Sequence, residues 1–261
     1  VTDKGWAVVT GASSGIGESF ARALDGRGYS VLLVARRRER LETLARTLKR
    51  AEVLVADLAS EAEVARVAAH ALGLGDVELL INNAGFATNG SFVDLDPARE
   101  VAMLKLNALT PLQLAQRLLP PMIARRRGGV VNVSSIGAFQ PVPYMATYGA
   151  TKAFLLSWSE AIAEELRGSG VRVLAVCPGP TRTEFFDVAG VNPAMAKLPH
   201  VMSSDELVAR TLDALDDGRA VLVPGLINFL TAFVTRIFPR LVVRVVTGKM
   251  FQPRARKELR S

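Results

Sequence analysis

Residues 6–17 read W-A-V-V-T-G-A-S-S-G-I-G. The apolar run Trp6, Ala7, Val8, Val9, Thr10 has the length and content of a short buried strand, and Gly11, Gly15 and Gly17 punctuate its end. An amphipathic segment then continues to about Arg27 and predicts a helix. Strand, glycine turn and helix make a phosphate cradle. The glycines allow a tight turn, close backbone approach and close helix-on-strand packing, while the helix N-terminus offers free N–H groups and a positive dipole end. A glycine-rich turn by itself also serves simple packing; its place between a strand and a helix is what points to a nucleotide.

The same alternation carries on outward from this unit. Apolar runs predict strands at residues 30–35, 52–55, 78–81, 130–133 and 171–176, with helical periodicity between them and a further strand after Ala220. The result is an α/β chain with a Rossmann-type doubly wound parallel sheet of about seven strands. Ligands of such sheets bind at the carboxyl ends of the strands. The second strand ends Ala35-Arg36-Arg37-Arg38, with no acid before Glu39. An acid there would take the ribose 2′-hydroxyl of NAD, whereas arginine favours a 2′-phosphate, so Arg36 carries an expectation of NADP(H). Arg37 and Arg38 read as solvated first-turn charges. Asp57, just past the third strand, suits a hydrogen bond to an adenine amino group or a helix cap, for which Ser60 is better placed. At the end of the fourth strand Asn82-Asn83-Ala84-Gly85 can brace the first loop and let a cofactor pass close to the backbone.

Residues 130–156, V-V-N-V-S-S-I-G-A-F-Q-P-V-P-Y-M-A-T-Y-G-A-T-K-A-F-L-L, supply the chemistry. Tyr148 and Lys152 lie four residues apart on a predicted helix and so share one face. A cation about 5 Å from a phenolate, at an effective dielectric of about 20, favours ionisation by ~3 kcal/mol, or about 2 pKa units. That shift would make Tyr148 an acid/base catalyst near neutrality. Ser135, at the carboxyl end of its strand, can hold a carbonyl oxygen. Tyrosine and lysine at this spacing are also ordinary surface pairs, so context decides. Asn107 sits inside a long helical region that opens at Asp96-Pro97; asparagine forms helix poorly, and it reads equally as a helix-bending polar residue.

Composition bounds the alternatives. At 261 residues with 49% hydrophobic content and no linker-like stretch, one domain is expected. A single cysteine, Cys177, forms no intrachain disulfide, and with two histidines there is no Cys/His cluster for a metal, which fits a reducing, cytoplasmic setting. The chain opens V-T-D-K-G and runs straight into an apolar strand, so no leader is expected. The net charge of +7 resides entirely in residues 236–261, where eight basic residues face Glu258 alone. It therefore describes a basic tail and gives no support to nucleic-acid binding.

T-G-A-S-S-G-I-G (10–17), N-N-A-G (82–85), Asn107, Ser135, Y-G-A-T-K (148–152) and P-G-P-T-R-T (178–183), in this order, resemble the classical short-chain dehydrogenases/reductases over about residues 5–223. The resemblance implies catalytic roles for Asn107, Ser135, Tyr148 and Lys152. Tyr148 would be the acid in carbonyl reduction and the base in alcohol oxidation; Lys152 would bind the nicotinamide ribose and depress the Tyr148 pKa. Ser135 would orient the substrate oxygen, the thirteen-residue interval to Tyr148 favouring it over Ser134, and Asn107 would support a water-linked proton path. Cofactor contacts are implied at Gly11, Ser13, Ser14, Gly15, Ile16, Gly17, Arg36, Asp57, Leu58, Asn83, Ala84, Gly85, Tyr148, Lys152, Pro178, Gly179, Thr181 and Thr183. Some members carry a basic residue before the second motif glycine; this chain has Ser14 there. A homodimer or homotetramer follows from the same resemblance, and a non-catalytic NADP-binding sensor or scaffold and a general xenobiotic carbonyl reductase are the alternatives.

Residues 184–199 read as a lid over an apolar pocket to which Phe86, Phe139 and Met145 contribute, so the substrate expected is an apolar, lipid-like carbonyl or alcohol such as a 3-oxoacyl group. Residues 1–223 form the nucleotide-binding unit with the active site, and 224–261 a basic amphipathic extension of the same domain. In that extension Arg236, Arg240 and Arg244 recur every four residues beside Leu, Ile, Phe and Val, with a kink expected at Pro239. Such a segment packs against the pocket or a partner subunit, or lies on an anionic membrane surface. It also looks like the C-terminal extension of the ketoacyl-reductase-like and hydroxysteroid-dehydrogenase-like branch of the family.

Overall fold

The computed structural model describes residues 4–181 and 201–252. In chain order, β1 (Trp6–Thr10), α1 (Gly15–Gly26), β2 (Ser30–Ala35), α2 (Arg38–Ala45), β3 (Ala51–Val55), α3 (Glu61–Gly73) and β4 (Val77–Asn82) form the first half. The second half holds α4 (Pro97–Leu104), a π-helical turn (Lys105–Leu109), α5 (Thr110–Ala124), β5 (Gly128–Val133), a 3₁₀ turn (Ile136–Phe139), α6 (Ala146–Glu165) and β6 (Val171–Val176). After these come α7 (Ser204–Asp216), β7 (Val221–Leu222), α8 (Leu226–Ile237) and α9 (Arg240–Phe251).

All seven strands are parallel, in the order β3-β2-β1-β4-β5-β6-β7. The order reverses between β1 and β4, so a crevice opens at their carboxyl ends. Alternate strand residues feed two separate cores. Ala7, Val9 and Leu33 pack with Phe20, Leu24, Leu41 and Leu212 on one face, and Val8, Leu32 and Leu80 with Val67, Leu114 and Leu118 on the other. Because helices cover both faces, the strands read as continuous apolar runs. Each fully buried leucine or phenylalanine contributes about 1.5–3 kcal/mol by removal from water.

Three local expectations change. The helix predicted between the strands at 30–35 and 52–55 stops at Ala45, short of the third strand, because Thr47 N and Thr47 Oγ1 both donate to Leu44 O and Leu48 N donates to Ala45 O, tightening the chain into turns. Ser60 stands at the start of α3 without a side-chain capping bond; Asp57 Oδ1 accepts from Ala59 N at 3.1 Å instead. The C-terminal segment is broken at Pro239 and not merely kinked: Phe238 is extended, Pro239 lacks an N–H, and two helices result. Both are tied to the body. Thr247 Oγ1 donates to Pro141 O at 3.1 Å, Asn89 Nδ2 donates to Phe251 O at 3.1 Å, and Ala232 and Val243 are buried.

Candidate active site

The carboxyl ends of β1 to β6 converge on one cleft of about 1680 Å³. Gly11 has φ +66°, and a Cβ there would lie 2.9 Å from Ala84 Cα; one on Gly17 would lie 2.2 Å from Gly11 O. Only glycine fits this turn. The loop is held from β4, as the notion of a bracing amide requires. Asn83 Nδ2 donates to Thr10 O at 2.9 Å, and Thr10 Oγ1 accepts from both Asn83 N and Ala84 N. Asn82 turns away from the cleft and donates to Asn132 Oδ1, while Asn132 donates to Ser159 Oγ, which ties β4 and β5 to α6.

Ser13, Ser14, Gly15 and Ile16 line the cleft beside Arg36 and Arg37, and Asp57, Leu58, Asn83, Ala84 and Gly85 continue the wall. Arg37 is not the merely solvated charge that its position suggested. Its Nε donates to Ser13 Oγ at 3.1 Å and its Nη2 to Ser14 Oγ at 2.6 Å. A guanidinium from the end of β2 thus reaches the place before the second glycine where this chain carries serine. The open turn, the helix N-terminus and this basic pair fit the phosphates of a dinucleotide.

Deeper in the cleft stand Ser135, Tyr148 and Lys152. Ser135 starts the 3₁₀ turn and accepts from Gly137 N at 3.1 Å, which fixes its hydroxyl at the end of β5. It is also hydrogen-bonded to Tyr148. Lys152 is buried, donates to Val133 O at 2.7 Å and has its Nζ 5.7 Å from the Tyr148 ring centre. Burial pushes the Tyr148 phenol up to about 12, with the Ser135 bond opposing, and pushes the Lys152 ammonium down to about 8. The direction is opposite to the depression expected from the lysine: desolvation is the largest influence on the phenol, and the Ser135 hydrogen bond opposes it.

Asn107 lies within the π-helical turn, fully buried. Its Oδ1 accepts from Phe86 N at 3.1 Å, and its Nδ2 donates to Phe86 O at 2.9 Å and Thr151 Oγ1 at 3.3 Å. It joins the β4 loop to α6 one residue before Lys152. Gly85 permits this approach, since a Cβ on it would sit 2.9 Å from Asn107 Oδ1.

Pro178, Gly179 and Thr181 line the cleft; Thr183 and the lid expected at 184–199 lie outside the described residues. Phe86 and Met145 join the wall, but Phe139 does not, packing instead beside Leu156, Ala175 and Cys177. Sequence reasoning missed Asn228, whose side chain occupies the space over Gly179: a Cβ there would lie 2.3 Å from Asn228 Oδ1. Leu230 and Val234 of α8, Phe238 between the helices, and Val246 and Met250 of α9 complete an apolar wall.

A glycine cradle, a basic pair and a Ser–Tyr–Lys constellation in one switch-point cleft define a dinucleotide-binding protein with an acid/base group beside the cofactor site. The sequence profile described as short chain dehydrogenase matches residues 5–192, and the chain belongs to that oxidoreductase family. Similar proteins include a very-long-chain 3-oxoacyl-CoA reductase of Phaeosphaeria nodorum, 36% identical over 182 residues, which are 66% of this chain and 53% of that protein. The chain thus spans about half the length of this reductase and of its counterpart from Pyricularia oryzae. Among solved structures, a short-chain dehydrogenase of Sphingobium yanoikuyae in complex with NADPH superposes with TM-score 0.80 at 34% identity, covering 97% of this chain and 98% of that one. A bulky-bulky ketone specific alcohol dehydrogenase of Comamonas testosteroni gives TM-score 0.76 at 30% identity, covering 98% of both chains.

Proposed function

We propose that the protein interconverts a carbonyl and an alcohol with NADP(H), on an apolar substrate of the 3-oxoacyl or bulky-ketone kind. The observation that carries this reading is the placement of Ser135, Tyr148 and Lys152 in the same cleft as the glycine turn and Arg36–Arg37. When bound, a nicotinamide cofactor would supply the hydride for reduction and take it up in the reverse direction. The chain's own residues do the rest. Gly11, Gly15 and Gly17 would leave room for the pyrophosphate on a turn that Asn83 holds, and Arg36 and Arg37 would face the ribose phosphate. Pro178, Gly179, Thr181 and Thr183 would hold the carboxamide end.

Ser135 holds the substrate oxygen, and Tyr148 gives it a proton as negative charge grows there. With its pKa near 12 the phenol is protonated at neutral pH, which is the form a proton donor needs. Lys152 keeps a positive charge beside the ring up to about pH 8. Asn107 positions the loop at Phe86 against α6, and so sets the separation between the cofactor side and the proton donor.

The apolar wall from α8 and α9 supports a lipid-like substrate, as do the names of the relatives: one a very-long-chain 3-oxoacyl-CoA reductase, another an enzyme for bulky ketones. The NADPH in the Sphingobium structure and the arginine pair support the phosphorylated cofactor. The reading is tested by NADPH and NADH oxidation across 3-oxoacyl thioesters, steroid ketones and small aldehydes. Turnover faster with NADPH and rising with the apolar size of the ketone is expected.

A further inference from the structure

We propose that the outward face of α8 and α9 docks on the surface of an anionic lipid bilayer. Phe229, Phe233 and Ile237 on α8 and Leu241 and Val245 on α9 recur every four residues, are between 49% and 64% exposed, and do not line the cleft. That spacing gathers them on one side of each helix. A stripe of large apolar side chains of this extent is unusual on a monomer and marks a contact surface.

Charge chooses the occupant. Residues 224–252 contain Arg236, Arg240, Arg244 and Lys249 and no acid, and Arg240, Arg244 and Lys249 are exposed. Residues 253–261 add four basic residues against Glu258. A second copy docked face to face across a two-fold axis would set these like charges against each other. Phosphate headgroups would instead neutralise them while the apolar stripe enters the acyl boundary. Among the described residues no helix is long and apolar enough to cross a membrane, so the helices lie in the interface plane.

The opposite faces of the same helices form the apolar wall of the cleft, so docking places that wall at the lipid boundary. This consequence rests on the proposed lipid-like substrate; the docking itself is measured without substrate or cofactor, so either can fail alone.

The test is flotation of the full chain with vesicles of phosphatidylcholine alone or mixed equally with phosphatidylglycerol. Wild type is expected to float with the mixed vesicles only and to be released by salt. Arg240→Gln with Arg244→Gln should weaken binding by about 30-fold at low salt. Phe229→Ser, Phe233→Ser and Leu241→Ser together should abolish it with an unchanged unfolding temperature. Failure of wild type to float with the mixed vesicles, or flotation of the triple variant equal to wild type, overturns the proposal. A dimer that the triple variant dissociates, with no vesicle binding by wild type, would give the face to a second copy.

Discussion

Lys152 Nζ stands 5.7 Å from the centre of the Tyr148 ring while donating to Val133 O at 2.7 Å. One turn of α6 therefore carries a buried ammonium fixed to the end of β5 and a phenol facing the substrate side. The two shifts have opposite signs from a common cause: burial holds Tyr148 neutral and makes Lys152 easier to deprotonate.

The pH dependence follows. Below about pH 8 Lys152 is charged and Tyr148 protonated, so carbonyl reduction is expected to be fastest there and to fall as pH rises through 8 and the charge is lost. Alcohol oxidation needs Tyr148 to accept a proton and should be slow at neutral pH. Initial rates in both directions between pH 6 and 10 check this. A reduction rate that rises through pH 8 contradicts the assignment.

Lys152→Met separates stability from activity. The Lys152 pKa falls from 10.5 to about 8 on folding, so the folded state binds fewer protons than the unfolded state between those values. Below pH 8 the buried charge costs about 3 kcal/mol, and loss of the bond to Val133 O offsets about 1 of it. The variant should be about 2 kcal/mol more stable than wild type at pH 7, with the gap narrowing as pH rises from 8 towards 10.5, and should be inactive. Urea unfolding at pH 7 and 10 measures the gap.

Gly17→Ala probes the cradle. Its Cβ would meet Gly11 O at 2.2 Å and Asn83 Nδ2 at 2.6 Å, so the turn must shift. A stability loss of about 1–3 kcal/mol and at least a roughly tenfold loss of NADPH affinity are expected. Tryptophan quenching titrations with NADPH would read the second.

Arg36→Ala and Arg37→Ala test cofactor choice. Each removes a charge-assisted contact worth about 1.5–3 kcal/mol, so the KM for NADPH should rise about 10- to 100-fold while that for NADH changes little. Arg37→Ala also frees Ser13 and Ser14, which hold its guanidinium. Equal effects on both cofactors would assign the arginines to loop support alone.

The fold was legible because its signals are local. The run at residues 6–10, the glycines after it and the four-residue step from Tyr148 to Lys152 each state a geometry within one turn or strand. What depended on distant chain was not legible. Arg37 looked like a helix-start charge until the β1 turn came to lie beneath it. Asn228 gave no sign of meeting Gly179, 49 positions away in the sequence. Phe139 reads in the sequence as a pocket residue beside Phe86 and Met145, but it packs with Leu156 and Cys177. The Tyr148 shift failed for the same reason: spacing fixes the lysine distance, whereas burial is a property of the assembled sheet and helices.

The proposed role of Tyr148 is to supply the proton in an NADP(H)-dependent carbonyl reduction. Its most direct test is NADPH consumption by wild type and Tyr148→Phe on a bulky apolar ketone, with NADPH affinity measured in parallel. A loss of about 10²- to 10⁴-fold in kcat with NADPH affinity retained is expected. Equal turnover by the two proteins would contradict it.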